Sequence, residues 1–151
     1  MSGVGARSAY LSWLAQALHH PDAPPDPSVE GDVVLGYATG YDPADIAPFV
    51  RSLRAVFDGP VVLVADETPD MAAFLREHDV IAVPARRWTG WAPHPVMLRF
   101  EAFDRLLGQW SGVRDVLITD VRDVIFQASP FAPLATCWSH DQTDGSDFTS
   151  Q

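Results

Sequence analysis

The sequence predicts an α/β fold, a mostly parallel sheet flanked by helices. Three observations carry that expectation. Residues 33–37, 61–65, 80–83 and 115–119 are short, nearly unbroken apolar runs, the pattern of strands buried on both faces. Between them, apolar residues recur at spacings of three and four, the period of a helix packed on one side. Pro43, Pro69 and Pro95 stand where each such helix would begin, with φ already set for the first turn. Strands that alternate with helical crossovers pair in parallel.

The elements follow in order. Tyr10, Trp13, Leu14, Ala17 and Leu18 predict a short amphipathic helix over residues 8–20, closed by His19 and His20 at its negative end. Pro21–Pro27, with four prolines and two aspartates, reads as an extended linker. The domain proper starts near Asp32 with strand Val33–Tyr37. Gly40, Asp42 and Pro43 mark a turn, and Asp42 is a suitable N-cap. Ile46, Phe49, Val50, Leu53 and Phe57 place a helix over residues 43–57, ended by Asp58-Gly59. Val61–Ala65 is the second strand. Thr68 caps a helix that presents Met71, Phe74 and Leu75 on one face, and Val80–Val83 is the third strand. A loop over residues 84–94 precedes a helix from Pro95 to about Trp110. Asp115–Thr119 reads as a fourth buried strand, followed by a short apolar run over residues 124–126. Beyond Pro133 apolar periodicity vanishes, and a polar composition predicts a disordered tail. The organisation is thus a helix and linker over residues 1–31, an α/β domain over residues 32–133 and a tail over residues 134–151. Ser139-His140-Asp141 in that tail is no catalytic triad, because triads are assembled in space and not along the chain.

Composition excludes several classes of function. Twenty acidic and 10 basic residues give a net charge of −10, a field that repels nucleic acid and anionic lipid. All ten basic residues are arginine, so neither a Schiff base nor a phosphate-loop lysine is available. The single cysteine, Cys137, precludes an internal disulfide or a zinc site built on several cysteines. No apolar run approaches the ~20 residues of a membrane span, and the N-terminus lacks the pattern of a secretory signal, so a cytoplasmic location is expected.

In parallel sheets ligands sit beyond the carboxyl ends of the strands. The strongest candidate there is Asp120-Val121-Arg122-Asp123, which follows the fourth strand. Carboxylates are the ligands of hard cations such as Mg²⁺ or Mn²⁺, and a turn after Asp120 brings positions i and i+3 to one side. Arg122 either pairs with Asp123 or faces a phosphate. The competing reading is a solvated acidic turn.

Residues 32–133 resemble the nucleotide-binding half of a metal-dependent glycosyltransferase of the A-type fold, a Rossmann-like half-domain. The likeness is carried by Val33–Tyr37 with Ala38-Thr39-Gly40-Tyr41, by His94–Phe100, and above all by Thr119–Gln127 leading to Ser129-Pro130-Phe131. That last segment is similar to the metal motif of a bacterial family reading Asp-x-Arg-Asp-Val-x-Phe-Gln. The resemblance implies a nucleoside-diphosphate sugar as partner and hexosyl transfer as activity. It implies that Asp120 and Asp123 hold Mn²⁺ or Mg²⁺ against the diphosphate. Thr39 and Tyr41 would lie near the base or ribose, Asp66 would contact the base, and Arg99 would approach a phosphate or pack under the metal loop. The bland alternatives are a helix cap for Tyr41, a solvated turn for Asp66 and a surface charge for Arg99. The i, i+3 spacing departs from the more familiar i, i+2. Only 28 residues follow Asp123, too few for an acceptor site, so a truncated product or half-domain is expected, inactive or very weak.

Other features admit two readings. Arg86, Arg87, Trp88, Trp91 and His94 either form a platform for sugar, base and phosphate, or anchor their loop to the core. His78 is expected to be structural. Two further functions compete with the transferase. One is a non-catalytic fragment whose exposed apolar edge favours self-association. The other is a different nucleotide- or phosphate-binding α/β module. Its dinucleotide version lacks the glycine-rich turn, and its receiver version lacks a lysine.

Overall fold

A computed structural model of the chain describes residues 3–18 and 27–131. Eight regular elements alternate as expected: α1 (Gly3–Leu18), β1 (Glu30–Ala38), α2 (Pro43–Arg54), β2 (Val61–Ala65), α3 (Pro69–Glu77), β3 (Ile81–Pro84), α4 (Pro95–Gln109) and β4 (Gly112–Thr119). The four strands form one parallel sheet in the order β3-β2-β1-β4. His19, His20, the linker over residues 21–26, Cys137 and the tail lie outside the described residues.

The sheet is covered on both faces. Val34 and Ala38 of β1, with Val61, Leu63 and Ala65 of β2, pack under Ile46, Phe49, Val50 and Leu53 of α2 and Met71, Phe74 and Leu75 of α3. Val33 and Leu35, with Val62, Val64 and Val83, pack under Ala102, Phe103 and Leu106 of α4. Alternate residues of β1 and β2 therefore serve opposite layers, which is why both strands read as unbroken apolar runs. At about 25 cal/mol per Å² of apolar surface removed from water, these two layers dominate the folding free energy.

The caps locate the helices. Thr68 Oγ1 accepts the Met71 N–H at 3.3 Å, and His94 Nδ1 accepts that of Val96 at 3.3 Å. At α2, Asp45 reaches back to accept the Asp42 N–H at 3.0 Å. Arg54 closes the other end of α2: its guanidinium donates to the carbonyls of Phe57, Gly59, His78 and Asp79, so the C-termini of α2 and α3 are tied together. His78, at the end of α3, has its Nδ1 2.9 Å from the Phe74 carbonyl and its ring against Phe74.

Several expectations need correction. β4 is an edge strand, and none of its eight residues is buried. Its apolar sequence looks like that of a central strand, but among the described residues only β1 pairs with it, and Ile118 is 49% exposed. β1 and β4 each begin three residues earlier than expected, at Glu30 and Gly112, and pair with each other there. The helix over residues 43–57 stops at Arg54. α1 starts before residue 8, and its apolar residues do not share one buried side. Trp13 and Ala17 are buried, whereas Tyr10 and Leu18 face solvent. The reason is the small surface α1 meets: Trp13 packs on Trp88 at 5.7 Å, and Thr89 donates to Gln16 at 3.3 Å. Residues 124–126 form no strand. Val124 and Phe126 instead pack back on the α2 layer, where Phe126 N–H donates to Ser52 Oγ at 3.1 Å.

Candidate functional site

From β1 the chain moves to β2 and β3 on one side and then crosses to β4 on the other. The segments leaving β1 and β4 both turn onto the α2 layer, and a crevice opens between them and the first turns of α4 at the strand carboxyl ends. A cavity of about 110 Å³ occupies this crevice. Thr39 and Tyr41 after β1, Thr119 and Asp120 at the end of β4, and Arg99 from the second turn of α4 all line it.

Local packing fixes this arrangement. Val121, inside the acidic segment, is 2% exposed and lies over Gly36 of β1. A Cβ at Gly36 would sit 2.5 Å from Val121 Cγ1 and 2.7 Å from Leu63 Cδ2, so glycine is required there for close approach. With Val121 facing inward, Asp120, Arg122 and Asp123 stay at the surface. Gly40, in the left-handed region at φ +78°, turns the loop after β1, and its N–H donates to Asp66 Oδ2 at 2.6 Å. The end of β2 thereby holds the loop that carries Thr39 and Tyr41.

The expected site residues divide. Thr39, Tyr41, Arg99 and Asp120 share the cavity. Arg122 lies over the Tyr41 ring at 5.9 Å. Arg99 Nη1 donates to Asp120 Oδ1 at 2.8 Å. Asp66 holds the loop and borders a second, more apolar cavity of about 410 Å³ with Met71, Leu75 and Val83. Asp123 is exposed on the bend after β4 and does not line the crevice. Tyr41 is no helix cap; Asp42 takes that position.

The loop over residues 84–94 contributes anchors. Arg86 pairs with Glu101 at 3.4 Å and stacks over Trp88, which packs on Trp13. His94 caps α4, and Trp91 is half exposed.

Sequence reasoning did not single out Tyr37 or Thr119 for the crevice. Tyr37 sits edge-on to Phe103 at 6.4 Å. Burial raises its phenol pKa above the ordinary value; a hydrogen bond with Thr39 opposes this, and the charges of Asp66 and Glu101 reinforce it. The usable signal was a polar-tipped aromatic near the carboxyl end of the first strand.

Among the described residues, no group of three or more His, Cys, Asp or Glu side chains could hold a metal ion. Asp120 is 71% exposed at the side chain and offers hard oxygen ligands. Arg99 Nε beside it is buried with no hydrogen-bond partner among the described residues. Such a donor set fits a cation that a diphosphate helps to hold, with one or two protein carboxylates, and does not fit an all-protein cage. No described helix is long and apolar enough to cross a membrane. No family model, no curated protein and no solved structure matches the chain.

Proposed function

We propose that the chain is the donor-binding half of a metal-dependent glycosyltransferase and binds a nucleoside-diphosphate sugar. The convergence of Arg99, Asp120, Thr39 and Tyr41 on the crevice between β1 and β4 supports this reading. In it, Thr39 and Tyr41 orient the nucleoside, and Asp66 holds the loop that carries them. Arg99 and Arg122 face the phosphates, and guanidinium groups match phosphate oxygens in charge and geometry. Asp120 supplies the protein carboxylate for Mn²⁺ or Mg²⁺, and Asp123 lies outside the crevice. The cation, when bound, neutralises charge on the departing nucleoside diphosphate.

Thermal unfolding with UDP, GDP, CDP and ADP, each with and without Mn²⁺, tests the reading. A ligand at about 100 times its dissociation constant adds about 2.7 kcal/mol to the folded state. The expected result is stabilisation by one nucleotide that requires Mn²⁺ and is lost in Asp120→Asn. A cooperative melt that no nucleotide shifts would overturn it.

The open edge favours a second reading, in which a second copy of this chain covers β4. Ile118 on that strand is exposed, and unpaired strand edges template such contacts. Light scattering across a concentration series decides: a monomer at every concentration rejects it.

A further inference from the structure

We propose that Arg99 is an internal counter-cation that exchanges partners on ligation. It holds Asp120 in the free crevice, surrenders that carboxylate to a divalent cation, and turns its own charge to an incoming phosphate oxygen. The proposal rests on the donor-site reading above and specifies how that site opens.

Four observations carry it. Arg99 is tethered by a single hydrogen bond among the described residues, the 2.8 Å contact to Asp120. Arg54, by contrast, is fixed by donation to four carbonyls. Second, Arg99 Nε is buried without an acceptor among the described residues, so the present seat leaves that donor unsatisfied there. Third, Asp120 is 71% exposed, open to a cation from solvent. Fourth, the crevice holds about 110 Å³ with the pair closed, well below the roughly 300–1,000 Å³ of small-molecule sites. Parting the pair would enlarge it from within. The Phe100 ring, 5.1 Å from the guanidinium carbon, gives that group an apolar surface to rest on.

The electrostatics make the two arrivals interdependent. A cation that takes Asp120 alone leaves the guanidinium unpaired. A phosphate that takes Arg99 alone leaves a carboxylate beside an anion. Arriving together, they leave every charge compensated. Binding of each therefore strengthens the other by the same factor.

Isothermal titration of the whole chain with Mn²⁺ and inorganic pyrophosphate tests this, separately and together, with their association in buffer subtracted. The wild-type chain is expected to bind each at least fivefold more tightly in the presence of the other. A bridging metal leaves some coupling without the arginine, so Mn²⁺ alone is the diagnostic arm. Arg99→Gln should bind Mn²⁺ alone about three- to fivefold more tightly, the range an ion pair this exposed supports. Arg99→Lys, which keeps the charge, should stay near wild type. Arg114→Gln removes an equal charge that pairs with Asp32 toward the start of β4, outside the crevice, and should tighten Mn²⁺ less than twofold. Unchanged Mn²⁺ affinity in Arg99→Gln, or equal tightening in Arg114→Gln, overturns the exchange and spares the donor site. Mn²⁺ affinity in the wild type that ignores pyrophosphate overturns it even if Arg99→Gln fails to fold. No Mn²⁺ uptake under any condition overturns the donor-site reading together with the exchange.

Discussion

The two strands beside β1 make opposite use of the same design. β2 and β4 both run parallel to it, and each delivers an aspartate just past its carboxyl end. All five residues of β2 are buried, and its aspartate, Asp66, is held by a backbone N–H. No residue of β4 is buried, and its aspartate, Asp120, is held by a side chain. A backbone donor in a fixed turn cannot leave. A side-chain donor with several rotatable bonds can. The β2 carboxylate is locked to a backbone turn, and the β4 carboxylate is held by a contact that can part.

The largest test of this contrast is packing. Leu63→Ala in β2 should cost about 2–5 kcal/mol, because a fully buried leucine leaves a cavity. Ile118→Ala in β4 should stay within about 0.5 kcal/mol. Urea unfolding measures both, and similar losses would show that β4 is covered in solution. Next is the contact between the two sides. Gly36→Ala should cost about 1–3 kcal/mol through overpacking against Val121 and Leu63. Adding Val121→Ala should recover part of that loss; strict additivity would mean the contact is not the cause.

A smaller effect separates the two aspartates. Asp66→Ala should cost about 0.5–1.5 kcal/mol and speed amide exchange at Gly40. Asp120→Ala should cost at most about 1 kcal/mol and leave that amide unchanged. Equal protection of Gly40 in both variants would refute the pinning role of Asp66. The smallest effect is a pH dependence at Tyr37. Its folded pKa is raised, chiefly by burial. The unfolded chain therefore loses the phenol proton first, and stability should fall as pH rises above about 10. Tyr37→Phe should lose less over that window; parallel curves would assign the loss to other groups.

Much of this fold was legible because local signals agreed. Val61–Ala65 lies where the sequence places it, bounded by Gly59-Pro60 and Asp66-Glu67, with every residue apolar. Thr68 and Pro69 start α3 for reasons that involve only neighbouring residues. What failed depended on the whole sheet. An apolar run states that a strand is able to be buried, and strand order decides whether it is, as Ile118 illustrates. Helical periodicity identified α1, but not how little of it is covered among the described residues, where Trp13 meets Trp88 of a distant loop. At the crevice, Arg99 and Asp120 were readable as candidates. Packing of Arg99 under the acidic loop was one of two expectations, but its specific bond to Asp120 across 21 residues was not readable, nor was the bond from Gly40 to Asp66 across 26. Val121 was hidden by its company: a valine among three charged residues reads as a solvated turn, yet it is the residue that anchors that turn.

The β1–β4 pairing carries one more consequence, in the order of assembly. Arg114 of β4 meets Asp32 of β1 across 82 residues, whereas β1 and β2 are joined through a single intervening helix. Contacts of such high sequence separation require the costliest loop closure and slow the folding of chains that depend on them. This implies that β1, β2 and β3 zip first, with β4 docking onto a preformed edge. The crevice would then be the last region to form and the first to open under native conditions, a cooperative unit with its own, lower free energy of opening.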